Sequence, residues 1–382
     1  KKGRRKPWIA TFVALMVPGI FLLWYAEPGG GGIGILPTLG LIIIVAILFE
    51  YSAVFHNAML PSVAPASKVG MVSGLALAYG NLAGLLLMIF VLYAFALPGN
   101  SEWSFIPEQP LFGLDPTTAE PDRIVGPMVA LWVMLFTLPL VLFTPDGADA
   151  GKSIGTAVRE GLSEVWRTLG QLRHFANVGL YLLTRMIFND GMAGVLIFGG
   201  VYAAGTFGWG TTELLLFGII TSFSAAIGAV LGGYLDDRLG SKRAVLLAVG
   251  GTAALLAVGV NIQPDSILFV PYQGSSAIWS LPYFNTLPEF LYFANTQIFA
   301  MFITVGFASA RTMMARIAPP SMMTQFFGLY ALSGTATAFL APLLVGLFTS
   351  AFQSQRAGFA SLIILLSLGF VMMLFVREEQ AQ

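Results

Sequence analysis

An all-α, polytopic helical membrane protein is what the sequence predicts, and three observations predict it. Apolar residues make up 57% of the 382, while Asp, Glu, Lys and Arg make up only 10%, and mean hydropathy is +0.81, outside the range of soluble globular domains. The charges fall in short clusters separated by apolar stretches of about 20 residues, the length needed to cross a hydrocarbon core. Runs such as Leu41-Ile42-Ile43-Ile44-Val45 do not alternate polar with apolar positions, so a transmembrane β-barrel does not fit. Helices remain as the way to satisfy a backbone in lipid.

Ten spans follow in order, at residues 8–26, 33–61, 69–98, 124–144, 175–207, 214–235, 244–262, 290–310, 322–352 and 357–376. Glu50 interrupts the second, and Arg185 and Asp190 interrupt the fifth. With the first residues inside, the inner connections hold the basic residues of 1–6, Lys68, those of 152–173, Arg238, Lys242, Arg243, Arg311, Arg316 and Arg377, whereas the outer ones hold only Arg123 and Arg356. Basic residues are retained on the cytoplasmic side, so the bias orients the chain with both ends cytoplasmic and supports the span count. The natural location is the cytoplasmic membrane. Within 145–174, Ile154, Val158, Leu162, Trp166 and Leu169 stand at helical spacing among charges, which predicts an amphipathic helix in the headgroup region. It separates a first half, 1–144, from a second, 175–382. The long outer connections 99–122 and 263–288 are rich in Pro and aromatic residues and are expected to fold against the outer mouth.

Several chemistries are excluded. There is no Cys and there are only two His, His56 and His174, so no disulfide, thiol nucleophile or zinc cluster is available. Gly29, Gly31 and Gly34 match a GxGxxG pattern but occupy a short outer loop with no strand before it, and residues 147–153 miss the phosphate-loop spacing by one position. No nucleotide, cofactor, metal or nucleic-acid partner is expected, and no constellation of an enzyme is evident.

The chain repeats itself. Val63-Ala64-Pro65 is echoed by Ile317-Ala318-Pro319, and at that same offset of 254 positions Gly74 meets Gly328 and Gly80 meets Gly334. A second echo pairs Gly3-Arg4-Arg5-Lys6 with Gly240-Ser241-Lys242-Arg243, again just before a span. Parallel halves around a central site mark one large class of transporters. The second basic copy sits in a fuller motif, residues 232–243, with Gly233, Asp236, Asp237, Arg238, Gly240, Lys242 and Arg243. It resembles the loop signature of the major facilitator superfamily, and the resemblance implies a gating latch. On that superfamily's twelve-helix plan the loop joins helices eight and nine, so ten of twelve helices are accounted for and the first two are expected to be missing ahead of Lys1. Residues 57–61 (NAMLP), 185–191 (RMIFNDG), 198–208 (FGGVYAAGTFG) and 326–334 (FFGLYALSG) resemble the vacuole-effluxer-like branch, named for an autophagy-linked vacuolar amino-acid effluxer. That resemblance implies export or exchange of small solutes, amino acids among them, without ATP.

An ionisable side chain at the centre of a span costs about 2.5–3.5 kcal/mol on insertion scales, so it should face protein or water. Glu50, Arg185 and Asp190 qualify, and the resemblance places them on cavity-lining helices. Arg185 and Asn189, four residues apart, share a helix face, whereas Asp190 lies roughly 140° around from Arg185. Arg185 suits a carboxylate, with Glu50 or Asp190 taking a coupling proton. Permanent pairing of either acid with Arg185, or a bond from Asp190 to backbone at an irregular Asn189-Asp190-Gly191 segment, stays open as the structural alternative. Gln297, Thr304 and Arg311 recur every seven residues and read as a cavity wall or as interhelical bonding. His56, Asn57, Tyr79, Asn81 and Tyr330 are weaker candidates. The expected function is secondary transport of a small organic solute, with protons as coupling ion and the bilayer as partner. A non-transporting scaffold or sensor on the same fold is the alternative, and oligomeric state is not legible.

Overall fold

The computed structural model describes residues 5–30, 32–99, 104–146, 170, 175–274, 277–281 and 283–378. Among them, ten helices are long and apolar enough to cross a membrane, at Lys6–Tyr25, Ile35–Ala58, Ala66–Ala96, Glu120–Phe143, Ala176–Phe207, Thr211–Leu239, Ser241–Gly259, Leu287–Ile317, Pro320–Phe352 and Gln355–Phe375. The amphipathic linker expected at 145–174 lies almost wholly outside the described residues.

The first four spans contain α1 (Lys6–Leu22), α2 (Ile35–Ala58), α3 (Val69–Val91) and α4 (Val125–Phe143). α3 runs on into a π-helical turn at Leu92–Ala96. The next four are α5 (Ala176–Phe207), α6 (Thr211–Leu239), α7 (Ser241–Gly259) and α8 (Leu287–Ile317). α8 starts where the sequence says it should: Thr286 and Glu289 exchange side-chain-to-amide hydrogen bonds, and Pro288 occupies the first turn, a reciprocal cap that satisfies two otherwise unpaired amides.

The ninth span departs from expectation. It is divided into α9 (Met323–Thr335) and α10 (Leu340–Phe352), with turns at 336–339. Periodicity could not show this, because the divided stretch Ala336-Thr337-Ala338-Phe339 is as apolar as its flanks. The tenth span contains α11 (Gln355–Ala360) and α12 (Leu362–Phe375). Conversely, α5 is helical throughout, so the irregularity expected at Asn189-Asp190-Gly191 is absent. In the connection between α7 and α8, β1 (Ile262–Gln263), β2 (Ser266–Ile267) and β3 (Val270–Pro271) form an antiparallel sheet in that order, Ile262 opposite Ile267 and Ile267 opposite Val270. Its aromatic neighbours pack on the outer helix ends: Phe284 lies 4.7 Å from Trp209 and 4.6 Å from Phe293, ring centre to ring centre.

The chain forms two compact units, one of residues 1–63 and 84–158, the other of 64–83 and 159–382. In the first, Ile9, Val13, Met16 and Ile20 of α1 bury against Met59 and Ala130. In the second, α8 is the most enclosed helix, and α6 presses against it and against the start of α3. Gly233 and Gly74 make the α6–α3 crossing possible: a Cβ on Gly74 would stand 2.9 Å from the Gly233 backbone, and one on Gly233 2.8 Å from the Gly70 carbonyl. Small residues permit such approach between membrane helices.

Candidate functional site

At one end of the second unit, α6 ends in Asp236, Asp237 and Arg238 and turns into α7 through Gly240, whose φ of +87° lies in the left-handed region that favours glycine. Arg316, in the last turn of α8, gathers three carboxylates, reaching Asp236 at 2.9 Å, Asp237 at 3.3 Å and Glu378 at 2.8 Å. Each acid also satisfies something else. The amides of Gly70 and Met71, which open α3, donate to Asp237 at 2.9 and 2.8 Å. Those of Ser241 and Lys242, which open α7, donate to Glu378 at 2.7 and 3.0 Å. Ser241 Oγ donates to Asp236, which is 1% exposed. Lys242 Nζ donates to the Leu374 carbonyl at 2.7 Å. Of the remaining loop residues, Arg238 lies over the Tyr234 ring at 4.3 Å, and Arg243 stands in the first turn of α7.

Helix starts carry unpaired amides and a positive dipole end, so acids at these positions stabilise both. The first unit shows the same device. The amides of Arg5 and Lys6 donate to Asp146 at 2.9–3.1 Å, and Lys6 Nζ donates to the Thr144 carbonyl at 2.7 Å. Burial lowers the Arg5 guanidinium below its ordinary pKa, and the Asp146 charge offsets part of that.

Deeper in the second unit, α5 is bonded to the division in the ninth span. Arg185, 7% exposed, places its guanidinium carbon over the Tyr330 ring, 3.5 Å from the ring centre, and its Nη1 donates to the Tyr330 carbonyl and to Ser333 Oγ at 2.5 and 2.7 Å. Its Nε is buried without a partner among the described residues. A Cβ on Gly334 would sit 3.0 Å from the guanidinium nitrogens, so α9 approaches Arg185 this closely only with glycine there. Asn189, on the same face as Arg185, reaches the Gly334 carbonyl at 3.4 Å, and Thr337 Oγ1 donates to the Met186 carbonyl at 3.1 Å. Asp190 points elsewhere, accepting from the Ala341 amide at 3.2 Å in the first turn of α10. It does not pair with Arg185.

The α8 stripe divides by role. Gln297 bonds to Thr221 and Ser224 of α6 at 3.3 and 3.0 Å, an interhelical tie. Thr304 is buried and its hydroxyl donates to its own helix, at the Ala300 carbonyl. Arg311 donates from Nε and Nη2 to the hydroxyl and carbonyl of Ser73 on α3, at 2.9 and 2.6 Å. Glu50 is exposed on α2 in the first unit, and the apolar cavity of about 590 Å³ between α1, α2 and α4 does not include it. Tyr79 is exposed, and Asn81 Nδ2 is buried without a partner among the described residues.

Arg316, Glu378, Asp146 and Ser73 were not singled out by sequence reasoning. Asp146 and Glu378 had a detectable signal: each stands three residues past the end of a helix, α4 or α12, so the echo between the basic motifs extends to their acid partners. Ser73 had none.

A family model described as "Vacuole effluxer Atg22 like" matches residues 4–382. Autophagy-related protein 22 of Cryptococcus neoformans var. neoformans is 23% identical over 250 residues, covering 64% of this chain and 44% of that protein. The Bacillus subtilis protein described as uncharacterized MFS-type transporter YxiO is 22% identical over 338 residues, 87% of this chain and 69% of that protein. The chain therefore spans less than half the length of the fungal relative. Among solved structures, the E. coli fucose:proton symporter FucP superposes with a TM-score of 0.68 at 13% identity, covering 98% of this chain and 84% of that one. The proton:xylose symporter XylE gives 0.67 at 14% identity, covering 98% and 81%. The fold is that of the major facilitator superfamily.

Proposed function

The chain belongs to the vacuole effluxer Atg22-like family of multi-pass, MFS-type membrane transporters, and from that premise we propose that it moves a small organic solute bearing a carboxylate, amino acids foremost, by alternating access. Arg185 is the main support. A guanidinium offers two parallel donors along its Nε and Nη2 edge, which match the two oxygens of a carboxylate. In Arg185 the opposite nitrogen, Nη1, is fixed by Tyr330 and Ser333, while on that edge Nε is buried without a partner among the described residues. A buried donor left unpaired costs about 1–3 kcal/mol, and an arriving carboxylate recovers it. The likeness to FucP and XylE, which carry sugars with protons, supports protons as the coupling ion. For the solute, a lone buried cation favours an organic anion over a neutral sugar. The basic asymmetry favours the cytoplasmic membrane with both ends inside, and the Asp236 loop with Arg316 serves as the inner latch.

Uptake into proteoliposomes, with a panel of amino acids and with or without a pH gradient, tests this. Wild type is expected to take up at least one of them. Arg185→Ala removes two charge-assisted bonds, about 3 kcal/mol or more, a loss on the order of 100-fold in solute affinity. Arg185→Lys keeps the charge without the fork and falls between. Normal flux in Arg185→Ala would remove the assignment, and a wild type that moves no solute would favour the scaffold alternative.

A further inference from the structure

α10 begins inside a membrane span, and the group that meets its first turn is a carboxylate of the protein. Discontinuous helices in transporters direct half-helix N-termini at anionic groups, because unpaired amides and the positive dipole end converge there. Asp190 holds that position on α5. It is 4% exposed and accepts from the Ala341 amide. Around it the packing is close: a Cβ on Gly194, one turn along α5, would stand 2.8 Å from Ala341 Cβ.

No cation balances this carboxylate among the described residues. Arg185, on the same helix, is turned toward Tyr330 on α9. α10 and α12 contain no titratable residue. Arg356, on α11, bonds Asn261 and faces Phe269. From α6, α7 and α8, the charged residues Glu213, Asp236, Asp237, Arg238, Lys242, Arg243, Glu289, Arg311 and Arg316 stand near helix ends. Tyr292 donates to the Gly199 carbonyl and Tyr181 to the Ala310 carbonyl. The α10 amides and dipole are therefore what offset the Asp190 charge.

Resting on the transport reading above, we propose that Asp190 is the proton-binding group and that its protonation releases α10 from α5, loosening the ninth span at 336–339. An ionised acceptor makes a hydrogen bond roughly twice as strong as a neutral one, and the dipole attraction vanishes with the charge. Taking up one proton from water thus removes the charge-assisted part of what holds the start of α10 on α5, leaving the Thr337 bond to Met186 and the packing at Gly194. Glu50 has no such helix end to report to.

The chain contains no Cys, so Ala338→Cys, at an exposed position in the division, gives a single spin-label site. In nanodiscs, its collision rate with a water-soluble relaxation agent is expected to rise at least 2-fold as pH falls through the titration. Asp190→Asn, nearly isosteric and still an acceptor, abolishes that dependence, and Glu50→Gln keeps it. In proteoliposomes Asp190→Asn loses accumulation driven by a pH gradient. A flat pH profile in the parent protein, or one that persists in Asp190→Asn, overturns this inference alone. A wild type that moves no solute overturns the transport reading, and the coupling role with it.

Discussion

The two units use one capping device, and among the described residues the second adds a cluster of charges to it. In the first, Asp146 caps the start of α1 and Lys6 bonds a carbonyl near the end of α4. In the second, Glu378 caps the start of α7 and Lys242 bonds a carbonyl near the end of α12. Both acids stand three residues past the end of a helix, α4 or α12. To this the second unit adds Arg316 with Asp236 and Asp237, which connect α6 and α8 to the start of α3. A cap secures one helix start locally, whereas the cation with three carboxylates makes four elements depend on one side chain. The repeated part is stabilising architecture; the added part is where a change of state can be concentrated.

Removing that cation should have the largest effect. In Arg316→Ala, Asp236 stays buried at 1% exposure with its charge uncompensated, and stranding a buried carboxylate costs about 3–5 kcal/mol. Arg316 is itself 24% exposed, so the lower end, about 3 kcal/mol, is expected, read as thermal unfolding in detergent. A loss below about 1 kcal/mol would equal an ordinary cap and erase the distinction between the two ends.

The two capping acids sharpen the comparison at an intermediate scale. Asp146→Ala should cost about 1 kcal/mol, as loss of a helix N-terminal acceptor does. Glu378→Ala loses the same kind of cap and also an ion pair with a partly exposed arginine, worth at most about 1 kcal/mol more. Paired unfolding measurements should therefore place Glu378→Ala at or above Asp146→Ala, whose charge also acts on Arg5. The reverse order would mean that the Arg316 bridge contributes nothing and that the ends differ for another reason.

How far the sequence revealed this follows from what kind of signal each feature leaves. The spans were legible because about 20 apolar residues have one stable arrangement in lipid. The Gly232–Arg243 loop was legible because its order is unusual, and Arg185 because a cation in an apolar span must have a reason. Partners were not legible. Ser333, Tyr330 and the Gly334 carbonyl meet α5 through tertiary packing, and two of those contacts are backbone, which carries no residue identity. The division at 336–339 was hidden for the same reason: its cost is met by Asp190 and Thr337 contacts made from another helix. Thr304 misled because helical spacing reports a face, not whether a hydroxyl has already bonded its own backbone.

The smallest effect is also the strictest check on the shared device. Lys6 and Lys242 each donate one hydrogen bond at 2.7 Å to a carbonyl near a helix C-terminus, where a cation also meets the negative dipole end. Substituting Met keeps an apolar stem of similar length, so packing along the helix is preserved and only the terminal bond and charge are lost. Each substitution should cost about 0.5 kcal/mol, and the two should agree within roughly 0.3 kcal/mol, the usual error of additivity between independent sites. Agreement is expected even though the second unit holds Arg316, because Glu378 accepts from the Lys242 backbone amide, which Met retains. If Lys242→Met instead matches the loss in Glu378→Ala, its ammonium belongs to the Arg316 cluster, and the two ends share less than their caps suggest.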